Sequence, residues 1–176
     1  MIFYVDEAGV GLLPSVGRTY APKGKTPVIA HKCRYKHLCV ISAISDTGRM
    51  LWNLRPDAFK GTSIVQFLQD ILAAVARKIL VIWDGASIHK GEEVKSFLSS
   101  LKNEEVWLER IPPYSPELNA DEQVWNHLKV VSLKNTCAHN LKELESNVRF
   151  AMGELEENPE LIRSFFKHPK VGYYQL

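Results

Sequence analysis

Three acids stand where chain geometry would gather them. Asp6 closes the apolar run Ile2-Phe3-Tyr4-Val5, Asp84 closes Ile79-Leu80-Val81-Ile82-Trp83, and Glu122 falls in the first turn of a helix expected after a proline-rich loop. In open α/β sheets ligands gather outside the carboxyl ends of the strands. Two strand-end aspartates on parallel neighbours would therefore sit side by side, and the helix could lay its first turn beside them. Crowded carboxylates repel and raise one another's pKa, so the trio makes best sense with a cation. Mg²⁺, or Mn²⁺ in its place, takes oxygen ligands from one or two carboxylates and from substrate phosphates. Two such ions, about 3.5–4 Å apart with one carboxylate bridging, serve an in-line displacement at phosphorus by activating the attacking oxygen and stabilising the leaving one. Each acid also has a plainer reading. A strand-end aspartate is commonly a turn residue, and Asn119-Ala120-Asp121-Glu122 matches a capping box with Asn119 as N-cap and Glu122 reaching back.

The elements that must position these acids read as α/β. Residues 2–5 form a buried strand, and residues 9–27, with their glycines, prolines and basic side chains, read as loop or irregular strand. Residues 37–44 and 50–54 are β-rich and flank the turn Ser45-Asp46-Thr47-Gly48, which predicts a hairpin. Thr62 or Ser63 can cap a helix carrying Ile64, Phe67, Leu68, Ile71, Leu72 and Val75 at helical spacing. Residues 79–83 are apolar throughout, as in a strand covered on both faces. A short amphipathic helix over 91–101, a strand over 106–111, and helices over 120–134, 141–156 and 159–167 complete a central mixed five-stranded sheet with an N-terminal antiparallel hairpin and flanking helices.

The bulk composition suits one soluble domain. The chain has 176 residues, 45% hydrophobic and 24% charged, which is enough for a full core. No stretch approaches a membrane span, and the N-terminus has no secretory pattern. Cys33, Cys39 and Cys137 are odd in number and form no CxxC pair, which suits a reducing cytoplasm. His31, Cys33, His37 and Cys39 match no zinc-finger spacing, and along one extended strand they are strung out too far for one tetrahedral ion. The net charge of +2 decides nothing, but its distribution is uneven. Residues 18–37 carry Arg18, Lys23, Lys25, Lys32, Arg34 and Lys36 with no acid, whereas residues 143–160 hold six glutamates against one arginine. A local basic stretch is what a phosphate backbone requires, and it is equally what a solvated loop looks like.

Four segments carry a specific resemblance. Residues 112–125, Pro-Pro-Tyr-Ser-Pro-Glu-Leu-Asn-Ala-Asp-Glu-Gln-Val-Trp, resemble the segment that holds the last catalytic acid of DDE-type transposases of the mariner-like and bacterial insertion-sequence superfamily. Asp6-Glu7-Ala8-Gly9 is similar to the first-acid motif of that group. Trp83-Asp84-Gly85-Ala86-Ser87-Ile88-His89 is similar to the second, and residues 18–27 to the basic segment after the first acid. The spacing of 37 residues between Asp84 and Glu122 is close to the family's. The chain departs from the pattern at Ala120 and Asp121, where the family has proline and an apolar residue, and at Gly85, where it often has asparagine. Asp121 points about 100° from Glu122 on a helix, which makes it a poor substitute ligand.

The resemblance implies a ribonuclease H-like catalytic domain over residues 1–176, with the family's N-terminal helix-turn-helix region absent or on another chain. It implies that Asp6, Asp84 and Glu122 hold two Mg²⁺ or Mn²⁺ ions, cut DNA at transposon ends and join the freed 3′-hydroxyl to target DNA. Arg18, Lys23, Lys25, Lys32, Arg34, His89 and Lys129 are the expected DNA contacts, and a homodimer or larger complex in the cytoplasm is the expected setting. His89 at a helix start and Lys129 on a helix face also have bland readings as surface residues. A nuclease of the same fold that cuts without strand transfer is the nearest alternative, and a silent DNA-binding remnant is another. A receiver-like signalling module also places aspartates at strand ends. It lacks the hairpin before its first helix and needs no late glutamate.

Overall fold

The computed structural model describes residues 1–28, 36–86, 89, 91–101 and 105–167. It contains a five-stranded sheet built from β1 (Ile2–Gly11), β2 (His37–Ile44), β3 (Met50–Arg55), β4 (Ile79–Trp83) and β5 (Val106–Arg110), in the order β3-β2-β1-β4-β5. The first three strands are antiparallel. β1 with β4 and β4 with β5 are parallel. The hairpin turns at Gly48, whose φ of 85° suits the one residue type without a Cβ.

Period-two alternation sorts the central strands onto two faces. Tyr4 and Val10 of β1, with Val40 and Ile44 of β2, join one core with α3 (Glu122–His127), α4 (Leu141–Glu156) and α5 (Pro159–Phe165). Phe3, Val5, Ile41 and Ala43 face a second core with α1 (Gly61–Val75) and α2 (Glu92–Ser100). β4 is covered on both sides, which explains its unbroken apolar sequence.

Several boundaries differ from the sequence expectation. β1 continues through Gly11 instead of yielding to a loop at Gly9, because β2 offers it an eight-residue ladder from Tyr4↔Ile44 to Gly11↔His37. α1 starts at Gly61, so Ser63 is not its N-cap. Its hydroxyl instead accepts from the Lys60 amide at 2.7 Å, from inside the first turn. α3 is short and passes into a π-helix, Leu128–Ser132, closed by the Leu133 amide on the Leu128 carbonyl at 2.8 Å. Such wide turns are frequent near functional sites, and no hydrophobic pattern announces them. α5 stops at Phe165, two residues before the expected end.

Candidate active site

The parallel register Tyr4↔Ile82, continued two residues toward the carboxyl ends, brings Asp6 level with Asp84. Glu122 comes to the same edge on α3. The three acids line one cleft of about 670 Å³ together with Gly85, Ala86, Arg110, the residues from Ile111 to Pro116, and Asn119. Asp6 is half-buried, and the Trp125 indole donates to its Oδ2 at 3.0 Å while the Glu7 amide donates to its Oδ1 at 2.9 Å. Burial, and after it the Glu122 charge, push the Asp6 carboxyl from 3.8 to about 7 against these two donors. Glu122 is raised by burial and by Asp84, while Lys129 pulls it back down. Asp84 is more open. Its Oδ1 accepts from the Ala86 amide at 2.9 Å, and among the described residues no hydrogen bond reaches its Oδ2.

The capping-box reading of Glu122 is not what forms. α3 starts at Glu122 itself, and the Asn119 carboxamide oxygen accepts from the Asp121 amide at 3.1 Å rather than from the Glu122 amide. Asn119 is buried and donates to the Val5 carbonyl at 3.3 Å, which ties the proline loop to β1 one residue before Asp6. The Glu122 carboxylate is thereby left without a hydrogen bond among the described residues. Asp121 turns the other way. It is fully buried, its Oδ2 accepts from Ser42 at 2.7 Å, and its Oδ1 has no partner among the described residues. Burial and the nearby Asp6 raise its carboxyl well above the usual range. Held by Ser42 and absent from the cleft lining, it stands apart from the trio.

The donor chemistry fits a hard divalent cation. All three side chains offer carboxylate oxygens, several are free, and two of the three acids are pushed up by a carboxylate beside them. Among the described residues, no three His, Cys, Asp or Glu side chains are drawn close enough to close around one ion.

Residues 1–145 match the family described as DDE superfamily endonuclease. The chain belongs to that family. It is 24% identical over 161 residues to the insertion element IS630 uncharacterized 39 kDa protein of Shigella sonnei, covering 90% of this chain and 46% of that protein. The fold is that of the Mos1 strand transfer complex (TM-score 0.62, 15% identity, 93% of this chain and 53% of that one). It is equally that of the Mos1 mariner paired end complex with Mn (TM-score 0.62, 13% identity, 93% and 54%). The sheet with its flanking helices is therefore ribonuclease H-like. The chain spans about half the length of these relatives.

The expected DNA contacts fall into four groups. Arg18, Lys23 and Lys25 are exposed on a segment of little regular structure, whose root is fixed by Gly17 donating to Asn135 and Asn135 donating to Ser15, just past the π-helix. Lys129 is half-buried and close enough to Glu122 to lower its pKa. Lys32 and Arg34, with His31 and Cys33, lie outside the described residues. His89 requires a correction. It is only 4% exposed, its Nε2 lies 2.9 Å from Glu7 and its Nδ1 3.1 Å from Asp84, so no ring nitrogen is free for a phosphate. Two residues of the cleft escaped sequence reasoning. Arg110 ends β5 beside the acids, and its signal was a cation at a strand's carboxyl end before the proline loop. Tyr114 is fully exposed at the cleft with a φ of 60°, an unfavourable backbone for so large a side chain. Trp125 packs in the core as its helical spacing suggests, and its indole N–H on Asp6 adds a polar role.

Proposed function

We propose that this chain is the catalytic domain of a DDE transposase, cutting DNA at transposon ends and transferring the freed strand to target DNA. The observation that carries the reading is the convergence of Asp6, Asp84 and Glu122 on one cleft at the carboxyl ends of β1 and β4. These three residues would hold Mg²⁺ or Mn²⁺, two ions in the full reading. When bound, the ions supply positive charge for the attacking and leaving oxygens of an in-line displacement.

The chain's own residues do the positioning. Trp125 and the Glu7 amide fix the two oxygens of the Asp6 carboxylate, and the Ala86 amide fixes Oδ1 of Asp84. Arg110 lines the same cleft and adds a fixed cation where a phosphate must sit. Arg18, Lys23 and Lys25 extend the grip along the backbone, joined by Lys32, Arg34 and Lys129, in a contact that weakens with salt. Both chemical steps are displacements at phosphorus, so one site serves cleavage and strand transfer. Recognition of specific ends would come from a helix-turn-helix region outside these residues, within a dimer or larger complex. No helix among the described residues is long and apolar enough to cross a membrane. DNA as substrate sets the activity in the cytoplasm, at the nucleoid.

The deciding experiment incubates the chain with Mn²⁺ and a labelled end-sequence duplex, beside Asp84→Asn and Glu122→Gln. Cleavage that both substitutions abolish, followed by joining of the 3′-end to a target plasmid, supports the reading. Cleavage with no joined product favours the nuclease alternative. Mn²⁺ binding in calorimetry that survives Asp84→Asn refutes the assigned site.

A further inference from the structure

His89 is the best-held side chain near the cleft. Its ring stacks on Trp83 with centroids 4.0 Å apart and planes 3° from parallel. Its Nε2 lies 2.9 Å from Glu7 Oε1, and its Nδ1 lies 3.1 Å from Asp84 Oδ1 and 3.3 Å from the Asp84 carbonyl. The imidazole side chain is 1% exposed, that of Glu7 21% and that of Asp84 54%, so the covered ring sits between two more open carboxylates. Glu7 follows Asp6 on β1 and so points to the opposite face, where Phe3 and Val5 pack against α1. Trp83 belongs to that same core.

We infer that Glu7 and His89 are positioning residues that act in series on Asp84, with Glu7 orienting the imidazole and the imidazole holding Asp84 Oδ1. The inference rests on the reading of Asp84 as a metal-binding acid. Asp84 Oδ1 then has one hydrogen-bond donor, the Ala86 amide, and an ion-pair partner, the His89 ring at 3.1 Å, while no hydrogen bond among the described residues reaches its Oδ2. A side chain that is half in water has several rotamers to choose from, and two partners on one oxygen leave few of them. Glu7 does not touch Asp84 but fixes the ring that does. Partners one step behind a ligand commonly contribute about 10–100-fold to metal affinity.

The test separates this role from mere bracing of β1 against β4. Metal-free chain labelled with ¹³C at aspartate side chains is compared with Glu7→Gln, His89→Phe and the double variant. Phenylalanine keeps the stack on Trp83 and removes both ring nitrogens. Glu7→Gln is expected to move the Asp84 carboxyl resonance in the native background and to have no effect on it once His89 is Phe. A bracing role would lower the melting temperature and leave that resonance in place, and a resonance unmoved by Glu7→Gln overturns the inference. In parallel, Mn²⁺ calorimetry is expected to show His89→Phe weakening binding by roughly 10–100-fold, with the double variant no weaker than His89→Phe alone. Affinity within about twofold of the native chain overturns it as well. If the native chain takes up no Mn²⁺, the metal reading of the site fails, while the resonance still decides the array. Should His89→Phe not fold, Glu7→Gln alone carries the test.

Discussion

Removing the first acid should make the metal-free protein more stable. Asp6 titrates near 7 in the folded chain and at its ordinary 3.8 when unfolded. Below pH 3.8 both states hold the proton and no penalty exists. As pH rises from there, the unfolded chain ionises first, so stability falls until the folded carboxyl also ionises near pH 7. Above that the loss is constant. The gap between 3.8 and about 7 amounts to about 4 kcal/mol. Asn at this position carries no charge, and its single carbonyl can accept from Trp125 or from the Glu7 amide but not well from both. One lost hydrogen bond returns about 1 kcal/mol, leaving a gain of about 3 kcal/mol for Asp6→Asn. Urea denaturation with EDTA at pH 8.5 should show the midpoint rising by roughly 1–2 M for a slope near 2 kcal/mol/M. Near pH 4 most of the gain should vanish. Mn²⁺ at about a hundred times its Kd should restore about 2.7 kcal/mol to the native chain and nothing to the variant. A variant less stable than the native chain at pH 8.5, or a gain that is the same at pH 4, would refute the electrostatic account.

Other predictions address the neighbours of that carboxyl. Asp121→Asn should stabilise the metal-free chain increasingly as pH rises above the ordinary carboxylate range, because burial and the nearby Asp6 raise the pKa of this acid in the folded chain. It should also leave Mn²⁺ affinity within about threefold, since this side chain faces Ser42 and not the cleft. A loss as large as that of Glu122→Gln in calorimetry would mean the wrong acid has been assigned. Trp125→Phe removes a donor to an ionised oxygen, a loss of roughly 1.5–3 kcal/mol from the charged form. The acid limb of the cleavage pH–rate profile should therefore move to higher pH, and an unmoved limb would show the indole to be packing alone. Tyr114→Gly relieves a left-handed backbone costing about 1–2 kcal/mol and gives back about 1 kcal/mol of chain entropy. Its melting curve should stay close to native while DNA cleavage falls, and unchanged cleavage would deny the tyrosine a part in the cleft.

Sequence reasoning reached furthest where one physical rule dominates. β4 reads from its apolar run, α4 matches its expected bounds because Asn140 caps it and accepts from the Glu143 amide, and the hairpin reads from Ser45 to Gly48. The expected pairing of Asp6 with Asp84 followed from two strand ends, and the two side chains line one cleft. What sequence could not show were outcomes settled by long-range pairing. The extent of β1 depends on β2, some thirty residues on. The π-helix after His127 depends on how Leu128 and Leu133 meet the core. His89 looked like a helix-start surface residue because nothing local reveals that Trp83 would cover its ring or that Glu7, 82 residues earlier, would meet it. Asp121 and Glu122 are adjacent, and their separate fates rest on the turn that starts α3 two residues later than the capping-box pattern implies.

The dipeptide Asp6-Glu7 shows how a strand turns that kind of adjacency into design. Period two sends the first acid to the face covered by α3 and the second to the face covered by α1. Asp6 is therefore held from one layer, through Trp125, and Asp84 from the other, through Glu7 and His89. Each strand-end aspartate lines the cleft with its support drawn from a different layer. A helix could not divide two successive residues so cleanly, since its neighbours differ by only about 100°. The same contrast explains why Asp121 and Glu122 need a helix start to be separated, with Asn119 accepting from the Asp121 amide at the turn. The two adjacent acidic pairs in the sequence thus solve one problem by different means. In each, one acid enters the cleft while the other is held by a partner behind it, Ser42 for Asp121 and His89 for Glu7. Charge is concentrated at the cleft, and the cost of that concentration appears as the raised carboxyls of Asp6 and Glu122, which a divalent cation would relieve.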